Sequence, residues 1–175
     1  MKSILRTAAA GVALATVGIA SGASAQTTAT ANADAEILAA LSINVNPALN
    51  SLDFATVAIG NIGAPATLVV PPAATPTMTG CSAQVICGGT PTAPQFTIDG
   101  QPAEVVDITI PATVTLTSGA NSMTVGSFTT SLGGTQATLD AAGDASFYLG
   151  GTLTIAPTQA AGVYTGNINV SVAYN

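Results

Sequence analysis

Between residues 28 and 45 the chain reads TATANADAEILAALSINV, with an apolar side chain at every odd position: Ala29, Ala31, Ala33, Ala35, Ile37, Ala39, Leu41, Ile43 and Val45. A period of two belongs to an extended strand, whose successive side chains point to opposite faces; a helix would bring its apolar positions back at intervals of three and four. The same period returns in shorter pieces: LDFATVAI at 52–59, ATLVVP at 66–71, then PQFTIDG, AEVVDITIP, TVTLTSG, SMTVGSFTTS, DASFYLGGTLTIAP and GVYTGNINVSVAYN. Pairs such as DG, SG, GG and AG separate the runs, and Thr, Val, Ile, Gly and Pro dominate them, which favours strands and turns. The first strand is expected at 35–45, with a turn at 47–50. Seven or more short strands predict an all-β fold, a sandwich of two antiparallel sheets. With no Trp and only four Phe, the core must draw on Ile, Val, Leu and those phenylalanines.

The chain has 175 residues, and its start reads as an export signal. Lys2 and Arg6 make a short basic beginning, residues 8–19 are apolar, and Ala23-Ser24-Ala25 is an A-x-A cleavage site. Cleavage would leave 175 − 25 = 150 residues, enough for one domain with its own core. The expected organisation is a signal peptide at 1–25, an extension at 26–35 and a β-sandwich at 36–175. No later run reaches the roughly 18 apolar residues of a membrane helix, so membrane insertion is not expected. The product is expected beyond the inner membrane, in the periplasm or at the cell surface.

Lys2 and Arg6 are the only basic residues, so the exported part carries eight acids, no histidine and no cation. Neutralising phosphates requires Lys and Arg, which argues against nucleic acid and anionic membranes as partners. Catalysis is equally poorly supplied: general acid–base work most often uses His, and a nucleophile needs a base beside it. Only paired carboxylates remain, and no cofactor is expected. Asp34 and Glu36 fall on the polar face of the opening run, while Asp99, Asp140 and Asp144 sit in IDG and LDAAGD segments. Turn formation and solubility account for them, and LDAAGD is far short of an EF-hand loop. An enzyme is therefore not expected.

Cys81 and Cys87 are the only cysteines. In an exported chain a local disulfide is expected, since a zinc site would need further thiolates or histidines. It would pin the Pro-rich loop around residues 71–89 and, closing a short loop, contribute about 2 kcal/mol.

In the last run Tyr164, Ile168, Val170, Val172 and Tyr174 are apolar, while Thr165, Asn167, Asn169 and Ser171 are polar. One face is buried and the other wet, and Gly166 marks a bulge. Tyr174 is penultimate and Gly162 is fourteenth from the end. With these offsets the chain resembles a chaperone-usher pilin, whose subunits are similar to an immunoglobulin-like sandwich lacking its last strand. Across its exported length it also resembles the bacterial secreted family known as domain of unknown function 4402, through LDFATV, QFTIDG, VTLTSGANSMTV, ATLDAAGDASFYLGGTL and AGVYTGNINVSVAYN.

The pilin resemblance implies a fimbrial subunit joined by donor-strand exchange, with a role in adhesion. An extension of one copy would enter the groove left in the next, a periplasmic chaperone would cover that groove first, and an outer-membrane usher would assemble the fibre. Ala29, Ala31, Ala33 and Ala35 are then the candidate donor residues. Gly162, Tyr164, Ile168, Val170, Val172 and Tyr174 form the strand that chaperone and groove would use. With no lysine in the exported part, such a fibre would be held non-covalently. Burying Ile37, Leu41, Ile43 and Val45 would contribute about 6–12 kcal/mol before entropy, so these residues are expected in their own domain's core, leaving the alanines for the neighbour. The alternative is a secreted binding or matrix module whose sandwich is complete in one chain.

Overall fold

The computed structural model describes residues 27–175; the expected leader at 1–25 lies outside the described residues. The chain divides into two units, Met1–Glu36 and Ile37–Asn175. In the first, residues 27–36 form no strand and all are exposed. The second is an antiparallel β domain. Among the described residues no helix is long and apolar enough to cross a membrane.

Among the described residues eleven strands follow in order: β1 Ser42–Val45, β2 Thr56–Ile59, β3 Ala66–Val70, β4 Val85–Gly88, β5 Gln95–Asp99, β6 Val105–Thr109, β7 Thr113–Ser118, β8 Asn121–Thr130, β9 Gln136–Thr138, β10 Asp144–Ile155 and β11 Ser171–Tyr174. Every pairing between them is antiparallel. One sheet has the order β1-β5-β10-β8-β7, with β3 also on β10; β11-β6-β9 form a second and β2-β4 a third.

The long strand β10 organises the sandwich. Its first half pairs with β5 and its second half with β3 and β8. Two cores result. Around Phe147, residues Ile98, Val106, Ile108, Ala137 and Leu139 are buried between the β1-β5-β10 sheet and β11-β6-β9, with Leu41, Ile43, Phe96, Val172 and Tyr174 packed against them. Around Leu153 and Ile155, residues Phe54, Leu68, Val70, Val85 and Val125 are buried between β3-β10-β8 and the β2-β4 pair. Alternation along β3, β6 and β10 sends these side chains inward and leaves the threonines of β7 on the wet face.

Several expected elements are corrected. The first strand begins at Ser42 rather than residue 35, because its partner β5 ends at Asp99, opposite Ser42, and earlier residues have no ladder to join. Ile37 is 93% exposed and Val45 41% exposed, so neither belongs to the core that was expected to hold them. The LDFATVAI run is split: Asp53 bridges Thr92, and Ala55 then takes a left-handed φ of 53° before β2 begins. The final run is a strand only at its end, with a single earlier bridge from Thr165 to Thr117. Its partner chain crosses from one sheet to the other between β6 and β7, through Ile110, Pro111 and Ala112, which interrupts the ladder. Gly166 passes so close to β7 that a Cβ there would come within 2.6 Å of the Thr115 carbonyl oxygen. Sequence periodicity also missed β4 and β9.

The Cys81–Cys87 disulfide is present, with Cα atoms 5.8 Å apart. It closes the tip of the β2–β4 layer, where Ser82 and Val85 exchange backbone hydrogen bonds, rather than an irregular loop.

Candidate functional site

The terminal segment has one occupied and one free edge. Thr165 exchanges two backbone hydrogen bonds with Thr117 of β7, and β11 pairs with β6; among the described residues no strand pairs with the other edge of β11. Among the described residues β2 likewise pairs only with β4. A groove of about 640 Å³ opens beside residues 159–164, which precede the Thr165 bridge and form no strand. All of residues 52–59 line it, whereas none of β4 does, so it lies at the unpaired edge of β2. Residues 159–164 bound it as well, and the inward side chains of Leu116, Met123, Leu153 and Ile155 give it an apolar bottom.

Local hydrogen bonds hold the rim. The Gln159 Nε2 donates to the Tyr164 hydroxyl at 2.6 Å and to the Ser122 carbonyl at 3.2 Å, and the Tyr164 hydroxyl donates to the Ala160 carbonyl at 2.8 Å. On the opposite rim the Asp53 carboxylate accepts from the Ala55 N–H at 2.7 Å, fixing the left-handed residue that redirects the chain into β2. Val163 also lines the groove and is 83% exposed. An apolar floor beside the unpaired edge of β2 is chemically suited to an extended peptide, whose backbone extends a ladder while alternate side chains enter the groove.

At the other end of the terminal segment, Tyr174 ties three pieces of chain together. Its hydroxyl accepts from the Gln101 N–H at 2.7 Å and donates to the Ala39 carbonyl at 2.9 Å, and the Ala39 N–H donates to Gln101 Oε1 at 3.2 Å. Ala39 is thereby anchored where the chain enters the domain. Tyr164 at the groove and Tyr174 at this anchor are ten residues apart, up to about 35 Å of extended chain.

The expected site residues divide accordingly. Gly162 and Tyr164 line the groove. Val170, Val172 and Tyr174 instead pack their side chains into the Phe147 core, so their apolar face is already used within the domain; Ile168 is half-buried. Ala29, Ala31, Ala33 and Ala35 are exposed and in no strand. The groove's contributors from β2, β7, β8 and β10 were not anticipated. Their one trace in the sequence is the apolar phase, which moves from even positions at Leu52 and Phe54 to odd positions at Val57 and Ile59.

The acidic residues form a turn. Asp140 Oδ1 accepts from the N–H of Ala142 at 2.8 Å and of Asp144 at 2.9 Å. These backbone bonds, that from Asp144 foremost, hold the Asp140 carboxyl below its ordinary pKa. Asp144 is displaced upward, chiefly by its side-chain hydrogen bond with Asp99, directly opposite on β5, then by desolvation and by the charges of Asp140 and Asp99. Among the described residues no cluster of three or more His, Cys, Asp or Glu is arranged to hold a metal ion. A raised folded-state pKa contributes stability that is present below the unfolded value and lost as pH rises through the folded one. Asp144→Asn is therefore expected to melt above the parent at neutral pH, with the difference shrinking as pH falls through the carboxylate range. A variant melting at or below the parent at neutral pH would show that the pair carries no repulsion.

The fold and groove define an all-β antiparallel sandwich with an apolar cleft along its terminal segment. The chain belongs to the family described as domain of unknown function 4402, whose model matches residues 43–174. No curated protein and no solved structure was found to be similar.

Proposed function

We propose that the protein is a structural subunit of a bacterial surface fibre, joined non-covalently when the N-terminal arm of one copy enters the groove of the next. The observation that carries this reading is a groove with an apolar bottom, open between the unpaired edge of β2 and the irregular residues 159–164. A second feature supports it. The chain enters the domain where Ala39 is anchored on Tyr174, whereas the groove lies beside Tyr164, at the other end of the terminal segment. A donor and an acceptor on different surfaces make a heterologous contact, which propagates as an open filament unless its rotation closes a ring. The unpaired edges also call for a periplasmic chaperone before assembly and an outer-membrane usher during it. Export through the inner membrane and a cell-surface location belong to the same reading, which assigns the protein no catalytic step.

The test compares two forms of the chain, each produced with its own leader and purified after export: the complete protein and one lacking residues 27–36. The complete protein is expected to form a concentration-dependent ladder of oligomers, and the shortened one to remain monomeric with an unchanged melting temperature. A complete protein that stays monomeric at high concentration would overturn the reading in favour of a self-contained secreted module.

A further inference from the structure

We propose that the anchoring side chain of this joint is Ile37, seated on the apolar bottom of the groove in a second copy. The inference rests on the fibre reading and adds the residue that gives the joint its strength. Four alanines offer the groove one methyl group each, whereas the groove is bounded by Phe54, Val57, Leu116, Met123 and Leu153. Larger apolar area has to come from another residue in the same phase. Ile37 continues the phase of Ala29, Ala31, Ala33 and Ala35, and at 93% it is the most exposed of the large exposed hydrophobic residues.

Its position in the chain fits this role. Strand β1 begins only at Ser42, and Ala39 is anchored by Gln101 and Tyr174, so Ile37 stands just outside the hydrogen-bonded body of its own domain. In an extended arm, Asp34 and Glu36 fall on the opposite face and stay in water while the odd positions are buried. This alternation lets a segment carrying two acids enter an apolar groove without burying charge. Ile37 and Ala39 are separated by Leu38 alone and lie at most about 7 Å apart along the chain. Copies joined through Ile37 therefore abut, and Leu38, itself exposed on the free domain, lies in the contact between them.

The experiment uses the full chain, exported and purified as above, with Ile37→Ser and Ile37→Leu. Ile37→Ser is expected to raise the concentration for half-assembly by about 10- to 100-fold, the loss that follows from one large apolar side chain. Ile37→Leu should stay within a few-fold of the parent. Neither should shift the melting temperature of the monomer, because the side chain is solvated there. A lowered melting temperature would place Ile37 in its own domain and overturn the inference. Normal assembly of Ile37→Ser, alongside monomers from the form lacking residues 27–36, would also overturn it while leaving the fibre reading standing. Failure of the parent itself to assemble would overturn both. Ile37→Cys combined with Met123→Cys is expected to give oxidation-dependent crosslinks between copies; assembly without such crosslinks would overturn the placement.

Discussion

Phe147→Ala is expected to lower the stability of the domain by about 3–5 kcal/mol, the usual cost of removing a buried aromatic side chain and leaving a cavity. Phe147 is 1% exposed, near the start of β10. It sits directly opposite Phe96 of β5, and the two rings stack with centroids 5.2 Å apart. Such an aromatic pair contributes beyond its buried area. Against a typical total of about 5–15 kcal/mol, the loss removes roughly a fifth or more of the folding free energy. It falls on the core that packs Val172 and Tyr174, and so on the anchor holding Ala39. Urea denaturation measures it directly. A loss below about 1 kcal/mol would mean that the Phe147 cluster is not closely packed.

Alternation made much of the sandwich legible in the sequence. The runs at β3, β5, β6, β7, β8 and β10 carry several inward residues each, and turn residues separate them, so both their type and their approximate limits could be read. β9 is three residues long, and only Ala137 among them is buried, too little for a period to register. β4 is four residues enclosed by the disulfide and glycines, and its partner β2 lies well before it in the chain, so the local signal is that of a loop.

Ile37 illustrates a different limit. Periodicity records which side chains share a face, but it cannot say whether another layer covers that face. Here β5 ends opposite Ser42, and the apolar stripe runs on past the last strand it can pair with. The groove was hidden for a related reason, since it arises where one edge of β2 faces no neighbouring strand among the described residues. The terminal segment was legible as amphipathic, but its two halves do different work. Residues 170–174 close the lower core with their side chains, while Gly162 and Tyr164 border a groove along the same edge. A uniform run of alternating residues gave no sign of that division, which depends on where β6 passes into β7.

Gly150→Ala is expected to cost about 1–3 kcal/mol or more, as overpacking does when backbone must move, and, on the proposed fibre reading, to weaken assembly beyond what its melting temperature predicts. Gly150 lies where β10 passes from β5 to β3 along one edge, and the β10–β8 register shifts between Gly150 and Thr152. A Cβ at this buried position would come within 2.5 Å of the Val70 carbonyl oxygen, 2.7 Å of the Pro72 nitrogen and 2.8 Å of the Pro71 carbonyl carbon. All three are backbone atoms, and proline fixes its own φ, so no side-chain rotation relieves the contact. The strain has to be taken up by displacing the end of β3 or by bending β10. Either response moves Leu153 and Ile155, which line the groove, relative to the Phe147 half that holds the arm's root. Amide exchange should then quicken at Leu68 and Val70 of β3 before it does at Ile98 of β5, and the half-assembly concentration should rise more in Gly150→Ala than in a variant of equal melting temperature altered only around Phe147. Parent-like exchange in β3 together with a parent-like melting temperature would show that the crossover tolerates a Cβ, and that the two halves of the sandwich are not held in register through this glycine.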